Sequence, residues 1–290
     1  MSKDAQSERL LARMLEWWKG VPQFKHRHAV DSVYLARGYL EWQGTPDEEA
    51  AFWLAVSHCV WWWLDERSEH SAAEAGPLDW AALVAEVEGS EGGRAPATPA
   101  TNDTQVLRRV IVGMAGQARA EVDFNWWRTT ISKTIQAFQK TEVLVQSETS
   151  FVEYLDLALW NSSIRNLLAS TSLLCDLTLA TRRSDPPVLA LESALCLDAR
   201  LENDLRSVDN ERRLGTQANA VLLMERVMSP PAALAFIQEQ HAGCRRLLKA
   251  SQDALGPGDP LVRLITAMFK THHQWYETRP SRYQASPPPQ

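Results

Sequence analysis

The sequence predicts an all-α protein, with residues 1–290 forming a single domain of about ten to twelve helices. Apolar residues recur three and four positions apart along most of the chain, as Leu11, Leu15 and Trp18 do in the first segment. This spacing is typical of helices with one buried face. No segment combines sustained two-residue alternation with turn signals, and no internal repeat has a fixed period. These observations favour helices packed around a common core.

Cap and breaker residues divide this pattern into segments. Gly44 and Pro46 separate the second helix from the third, and Asp47 is a suitable N-cap for the third. The polar run 161–163 is expected to break a long helix, and the Pro pair at 186–187 begins another, because proline is accepted in the first helical turn. The predicted helices are 8–19, 28–42, 48–69, 105–120, 123–140, 150–180, 186–213, 216–228, 231–251 and 260–276.

Two segments are expected to lie outside helices. Residues 89–104 are rich in Gly, Ala, Pro and Thr. We interpret them as a flexible loop within the domain, because the helical pattern resumes unchanged at Gln105. The Pro-rich tail, residues 284–290, is expected to be disordered.

Composition argues against several classes of protein. The formal charge of −6 disfavours a broad nucleic-acid surface, which needs clustered Lys and Arg. The sequence lacks an apolar run of about 18 residues and an apolar signal core. Its four cysteines have no zinc-like spacing, so a cytoplasmic protein without a membrane span is expected. The 12 tryptophans are unusual, and because Trp is hard to bury completely, they suggest aromatic walls around an internal space.

A nine-residue run, 203–211, carries oxygen-bearing side chains at helical spacing. Asn203, Ser207 and Glu211 lie four positions apart, so a helix places an amide, a hydroxyl and a carboxylate oxygen in one column. Hard divalent cations such as Mg²⁺ prefer ligands of this kind. The alternative is an exposed helix face with salt bridges to flanking arginines, but an apolar stripe of leucines beside the column argues for a partly buried face.

A second acidic cluster, Asp65, Glu66 and Glu69, follows the apolar run 61–64. Asp65 and Glu69 are one helical turn apart, so both carboxylates can reach the same side. Carboxylates at the end of a buried helix are costly unless they are solvated or paired with cations. The alternative is a solvated helix end with Arg67 as a local partner. Two oxygen-rich faces, each ending an apolar helix, together suggest a site that binds a metal-bound diphosphate.

Near the C-terminus, Arg282 and Tyr283 follow the aromatic pair at 275–276. A planar guanidinium at a chain end can fold over a cleft and bind phosphate oxygens, and a Tyr hydroxyl can do the same. Taken alone, this pair is equally typical of a disordered tail.

Together and in this order, the three motifs resemble those of the bacterial class I terpene synthases. The run from Asn203 to Glu211 matches the family motif NDxxSxxxE letter for letter, and Arg282–Tyr283 matches a C-terminal Arg-Tyr pair. The cluster 65–69 stands in place of the commoner Asp-Asp-x-x-Asp. The resemblance covers nearly the whole chain. Residues 28–69 are also similar to the short kaurene-synthase-type diterpene synthases of bacteria.

The resemblance implies an antiparallel helical bundle around a deep apolar cavity, with three Mg²⁺ ions at its mouth. It implies that Asp65 and Glu69 hold two of these ions, and that the column on the second motif holds the third. The groups implied to grip the diphosphate are Arg200, Arg282 and Tyr283. Candidate aromatic walls, for which ordinary core packing is the alternative, are Phe52, Trp53, Trp61, Trp62, Trp126, Trp127, Trp160 and Trp275.

The implied activity is the magnesium-dependent ionisation of a prenyl diphosphate, followed by cyclisation of the carbocation. The narrower similarity favours a C20 substrate, geranylgeranyl or copalyl-type diphosphate, over the C15 farnesyl diphosphate. Prenyltransferases are disfavoured because they carry two similar Asp-rich motifs. The diphosphate itself is the expected final base, since no histidine is well placed and His58 is interpreted as structural. Dimers are common in this family, so a homodimer is an open expectation.

One departure from the family pattern concerns its diphosphate-sensing arginine. The family usually carries this Arg in the helix before the second motif, whereas residues 154–160 contain none and Arg165 is the nearest. The acidic cluster also has Glu66 and Glu69 where aspartates are commoner. These differences leave open an unusual substrate, or a helical homologue that has lost the chemistry.

Overall fold

The computed structural model describes residues 3–21, 24–44, 47–74, 78–89, 100, 102–144, 150–175, 177–215 and 218–278. Within these ranges the backbone forms thirteen α-helices, one short 3₁₀ turn at Glu41–Gln43, and no β-strand. The helices are α1 (Lys3–Trp17), α2 (His26–Leu40), α3 (Glu48–Glu74), α4 (Trp80–Gly89), α5 (Asp103–Gln117), α6 (Glu121–Leu144), α7 (Phe151–Asn161), α8 (Ile164–Cys175), α9 (Leu179–Arg182), α10 (Pro186–Leu214), α11 (Ala220–Met224), α12 (Pro230–Leu255) and α13 (Pro260–Thr278). The predicted all-α class is confirmed. Helices α9 and α11 have only four and five residues, so the eleven longer helices agree with the predicted ten to twelve.

Local sequence explains where several of these helices begin. The Asn102 side chain accepts from the Gln105 N–H at the start of α5, and a capping box between Ser150 and Glu153 opens α7. Pro residues occupy the first turn of α10 and α12, where the missing N–H costs nothing.

The predicted break in the 150–180 segment is confirmed. Helix α7 ends at Asn161, and α8 begins at Ile164 after Ser163 adopts a φ of 62°. A positive φ is uncommon for a residue other than glycine, so the chain cannot continue as one helix through this point.

Two parts of the pattern were assigned wrongly from sequence. Helix α4 was not predicted, although Trp80, Leu83 and Val87 form its buried face. The expected helix at 216–228 is reduced to α11, because Asn219 is its N-cap and accepts from two N–H groups of the turn. The predicted loop at 89–104 and the tail at 284–290 lie mostly or entirely outside the described residues.

Five helices, α2, α3, α8, α10 and α13, form a ring. Helix α13 packs on α2, α2 on α3, α3 on α8, and α8 on α10. Between α10 and α13 the ring is closed by side chains, where the Arg206 guanidinium lies 4.9 Å from the Tyr276 ring centre. Helix α12 covers α10 from outside. The main core includes the fully buried Trp63 and Trp275. Across the described residues, no helix is both long and apolar enough to cross a membrane.

Gly113 on α5 allows a close approach of Trp53 from α3. A Cβ built at Gly113 would lie 1.9 Å from the Trp53 ring, whereas one at Gly116 on the same helix meets nothing within 4 Å.

We therefore expect Gly113→Ala to lower the free energy of unfolding by about 1–3 kcal/mol, because the indole has to move. The control Gly116→Ala should be neutral or stabilising by up to about 1 kcal/mol, since Ala favours helix over Gly. Urea unfolding of both variants measures the difference, and equal effects would contradict this account of the packing.

Candidate metal centre

The column Asn203, Ser207 and Glu211 lies on the C-terminal half of α10. The Ser207 hydroxyl donates to the Asn203 carbonyl at 2.8 Å, which leaves the hydroxyl oxygen able to accept or to bind a cation. The Glu211 Oε2 atom is buried and has no hydrogen-bond partner among the described residues. A buried carboxylate oxygen is costly unless a cation compensates it, so this donor set fits a hard divalent ion such as Mg²⁺.

Asp204, next to the column, is fully buried and binds three groups. Its carboxylate accepts from the Tyr154 hydroxyl of α7 and, at 3.1 Å, from the Ala220 N–H of α11. Arg200 Nε lies 3.1 Å from Asp204 Oδ1. Burial raises the pKa of Asp204 to about 6, although the Arg200 charge and the Tyr154 hydrogen bond oppose the rise. This network fixes the column against its neighbours.

Arg200 is held in place by the same network. Its Nε donates to the Tyr154 hydroxyl at 2.7 Å, and its Nη2 donates to the Ala218 carbonyl at 2.8 Å. Burial alone would lower the pKa of Arg200, but the nearby Asp204, Tyr154 and Glu211 raise the pKa well above its usual value. Arg200 is therefore a fixed positive charge close to the column.

The first acidic cluster lies on α3. Asp65 is half-buried, whereas the side chains of Glu66 and Glu69 lie outside the described residues. Arg67 is buried and forms a two-pronged ion pair with Asp103 on α5, with an Nη2–Oδ2 distance of 2.7 Å. This ion pair connects the helix of the acidic cluster to α5.

Side-chain contacts bring the helices of both clusters to the same end of α13. Trp62, one turn before Asp65, lies 5.5 Å from Trp275, measured between ring centres. Trp275 contacts Tyr276, which in turn carries the Arg206 guanidinium of α10 over its ring. Trp62 and Arg206, which neighbour the two predicted half-sites along their helices, thus both reach the C-terminal turn of α13.

The predicted aromatic walls do not all lie together. Trp53 and Trp62 are nine positions apart on α3, so they project from the helix about 180° apart. Trp53 contacts Trp17 and the Gly113 face of α5, while Phe52 lies under Arg13. These two residues therefore face α1 and α5, away from the Trp62–Trp275 pair.

The other predicted aromatic residues lie nearer α6 and α8. The half-buried Trp160 has the Arg165 guanidinium 4.2 Å and the Lys133 ammonium 4.8 Å from its ring centre. Trp61 donates to Asn166, and Trp127 donates to Ser170, both on α8. Trp126 lies beneath the guanidinium of Arg183.

Two of the predicted diphosphate ligands, Arg282 and Tyr283, lie outside the described residues. Arg165, the arginine nearest to the segment that lacks one, is buried and forms an ion pair with the buried Glu192. Across the part of the chain that the structure describes, no group of three or more His, Cys, Asp or Glu side chains is arranged to hold a metal. The column on α10 contains one such residue, and its other two donors are an amide and a hydroxyl.

A small cavity of about 20 Å³ lies between α10 and α13, beside the candidate site. This volume holds about one water molecule. Sequence reasoning found no well-placed histidine, but His272 lines this cavity and stacks on Tyr276 with ring centres 5.0 Å apart. Other titratable groups around it are Asp198, Glu202, Arg245 and His273, with His241 behind them against Asp198.

These features describe a helical bundle in which a column of oxygen donors, the candidate metal site, lies beside a buried charge network. A family model described as "Terpene synthase family 2, C-terminal metal binding" matches residues 58–246. This match includes Asp65 and the whole α10 column and spans more than half of the chain. The protein therefore belongs to the terpene synthase family of enzymes.

Solved structures share the fold at low sequence identity. The 2-methylisoborneol synthase from Streptomyces coelicolor A3(2) is 14% identical, with a TM-score of 0.73 over 98% of this chain and 93% of that chain. Another structure of that enzyme holds Mg²⁺ and geranyl-S-thiolodiphosphate. Hedycaryol synthase is 14% identical, with a TM-score of 0.68 over 94% of each chain. The SVS_A2 protein from ancestral sequence reconstruction is also 14% identical, with a TM-score of 0.72 over 97% of this chain and 86% of that chain.

His272 makes the stability of the fold dependent on pH. Burial lowers the pKa of His272 from 6.5 to about 4, while Asp198 and Glu202 oppose this shift. The pKa of His272 is lower in the folded protein than in the unfolded chain. The stability contributed by the neutral imidazole is therefore fully present above the unfolded pKa, and it is lost as the pH falls through the folded pKa. We expect the wild-type protein to lose about 1–2 kcal/mol more stability than His272→Phe between about pH 7 and about pH 5. Urea unfolding at both values tests this, and equal losses in the two proteins would contradict it.

Proposed function

We propose that this protein is a class I terpene synthase that ionises a prenyl diphosphate and cyclises the resulting carbocation. The observation that carries the proposal is the column on α10, in which the buried Glu211 Oε2 has no hydrogen-bond partner among the described residues. Asn203, Ser207 and Glu211 would hold one Mg²⁺, and Asp65 with Glu69 would hold two more. Bound ions would neutralise the diphosphate as it leaves.

The chain's own side chains would prepare the site in three ways. Arg200 supplies a partly buried positive charge near Glu211, and Arg282 and Tyr283 would close over the diphosphate from the C-terminal segment. The packed aromatic pair Trp62–Trp275 would help to exclude water from the carbocation. The negative faces of these rings would stabilise positive charge by up to about 2 kcal/mol when desolvated.

For the substrate, we propose a C20 compound, either geranylgeranyl diphosphate or a copalyl-type diphosphate. This choice rests on the similarity of residues 28–69 to short bacterial diterpene synthases. The alternative is farnesyl diphosphate, the C15 homologue. The 2-methylisoborneol synthase that shares this fold was solved with geranyl-S-thiolodiphosphate, which supports testing shorter chains as well. Parallel incubations with C10, C15 and C20 diphosphates and Mg²⁺, followed by mass analysis of the extracts, decide between them.

A second candidate is a homologue that has kept the fold and lost the chemistry. The absence of arginine from residues 154–160 favours this reading. It predicts that none of the C10 to C20 diphosphates gives a hydrocarbon or an alcohol. Diphosphate release from any of them in the presence of Mg²⁺ would exclude it.

Substitutions in the column test the metal assignment. We expect Asn203→Ala and Glu211→Ala to lower product formation at least ~100-fold. Each removes a proposed direct ligand of the ion that would polarise the leaving group. The matched control is Asp209→Ala on the same helix, whose side chain is 92% exposed. All three variants should keep the helical circular-dichroism spectrum. Near-normal turnover by either column variant would overturn the assignment.

A further inference from the structure

Asn219 is a fully buried residue that joins α11 to the metal-binding column of α10. Its Nδ2 donates to the Asp204 carbonyl at 2.8 Å and lies 3.5 Å from the Ser207 hydroxyl oxygen. Its Oδ1 accepts from the N–H groups of Val221 and Leu222 at 2.9 and 3.4 Å. Both ends of the amide are therefore used, one by the start of α11 and the other by the column.

This arrangement constrains the Ser207 hydroxyl. The hydroxyl donates its proton to the Asn203 carbonyl, and the Asn219 Nδ2 lies 3.5 Å from the hydroxyl oxygen. A hydroxyl has one proton and two lone pairs, so one lone pair is left to face a cation. Without Asn219, the hydroxyl could rotate and the backbone at Asp204 would lose a buried partner.

We propose that Asn219 is a positioning residue for the metal ion bound by Asn203, Ser207 and Glu211. The inference rests on the proposed function, since it concerns the ion of that same site. Partners of metal ligands typically change metal affinity by about 10- to 100-fold when they are removed. Asn219 acts through Ser207 and the α10 backbone, and it is not itself a ligand.

Two variants separate positioning from folding. Asn219→Asp keeps the Oδ1 cap of α11 but replaces the N–H donor by a carboxylate oxygen that faces two acceptors. Asn219→Ala removes both roles. The matched control is Asn102→Ala, which removes an N-cap from α5, far from the column in sequence and on a different helix.

The test measures the Mg²⁺ concentration that half-maximally raises the Tm in the presence of inorganic diphosphate. We expect this midpoint to rise at least ~10-fold in both Asn219 variants and to stay unchanged in Asn102→Ala. Product formation should recover to within about threefold of the wild-type kcat at saturating Mg²⁺, as a loss of metal affinity requires.

The outcomes separate the two proposals. If the wild-type Tm does not respond to Mg²⁺ and diphosphate, the proposed function fails and this inference fails with it. If the wild-type protein responds and the folded Asn219→Asp variant has a midpoint within twofold of wild type, the positioning role alone is overturned. Should Asn219→Ala not fold, Asn219→Asp still decides the question.

Discussion

The buried carboxylate of Asp204 is the contact on which the candidate site depends. It joins α10 to Tyr154 on α7 and to the first turn of α11, and it forms an ion pair with Arg200. A carboxylate without exposed surface is tolerated only when cations and hydrogen bonds compensate its desolvation. Removing one partner of such a network typically costs about 3–5 kcal/mol. The column beside Asp204 is therefore held in place by the protein itself, as the proposed ion-binding site would require.

The helix that carries Asp65 is joined to the rest of the ring by packing of aromatic rings. Trp62 on α3 and Trp275 on α13 are in contact, and Tyr276 continues this contact to Arg206 on α10. Three helices of the ring thus meet around the last turns of α13. Helices with buried faces hold side chains more precisely than loops do, so Asp65 and the column are both carried by rigid elements.

Much of the fold could be predicted because helical periodicity is a local signal. The bounds of α10 follow from the Pro pair at 186–187 and from Gly215, which adopts a φ of 75° as the C-cap. Helix α4 has the same periodicity, but its ten residues lie between the Gly76–Pro77 pair and the Gly- and Pro-rich run 89–104, which concealed it. The start of α11 was misplaced because Asn219 was not recognised as a cap.

The candidate site was predictable only in part, because helical spacing reports only which residues share a face of one helix. Spacing alone placed Asn203, Ser207 and Glu211 in one column. The pairing of Tyr154 with Asp204 joins positions 50 residues apart, and it depends on how α7 packs against α10. No spacing along one helix contains that information. The roles of Asn219 and His272 likewise depend on contacts between helices.

The packing of α7 against α10 also places an arginine near residues 154–160, which contain none themselves. Tyr154 lies in that segment, and its hydroxyl accepts from Arg200, so a guanidinium from α10 reaches the helix where the family usually carries one. With Asp204 ionised, the three interacting groups sum to one net negative charge: +1 from Arg200, −1 from Asp204 and −1 from Glu211. At the proposed metal site, that excess would attract a divalent cation to Glu211. If Asp204 bound a proton, the sum would be zero and the attraction would weaken. The charge next to the column thus depends on the Arg200–Asp204 pair, so the proposed site would be tuned by residues that are not its ligands.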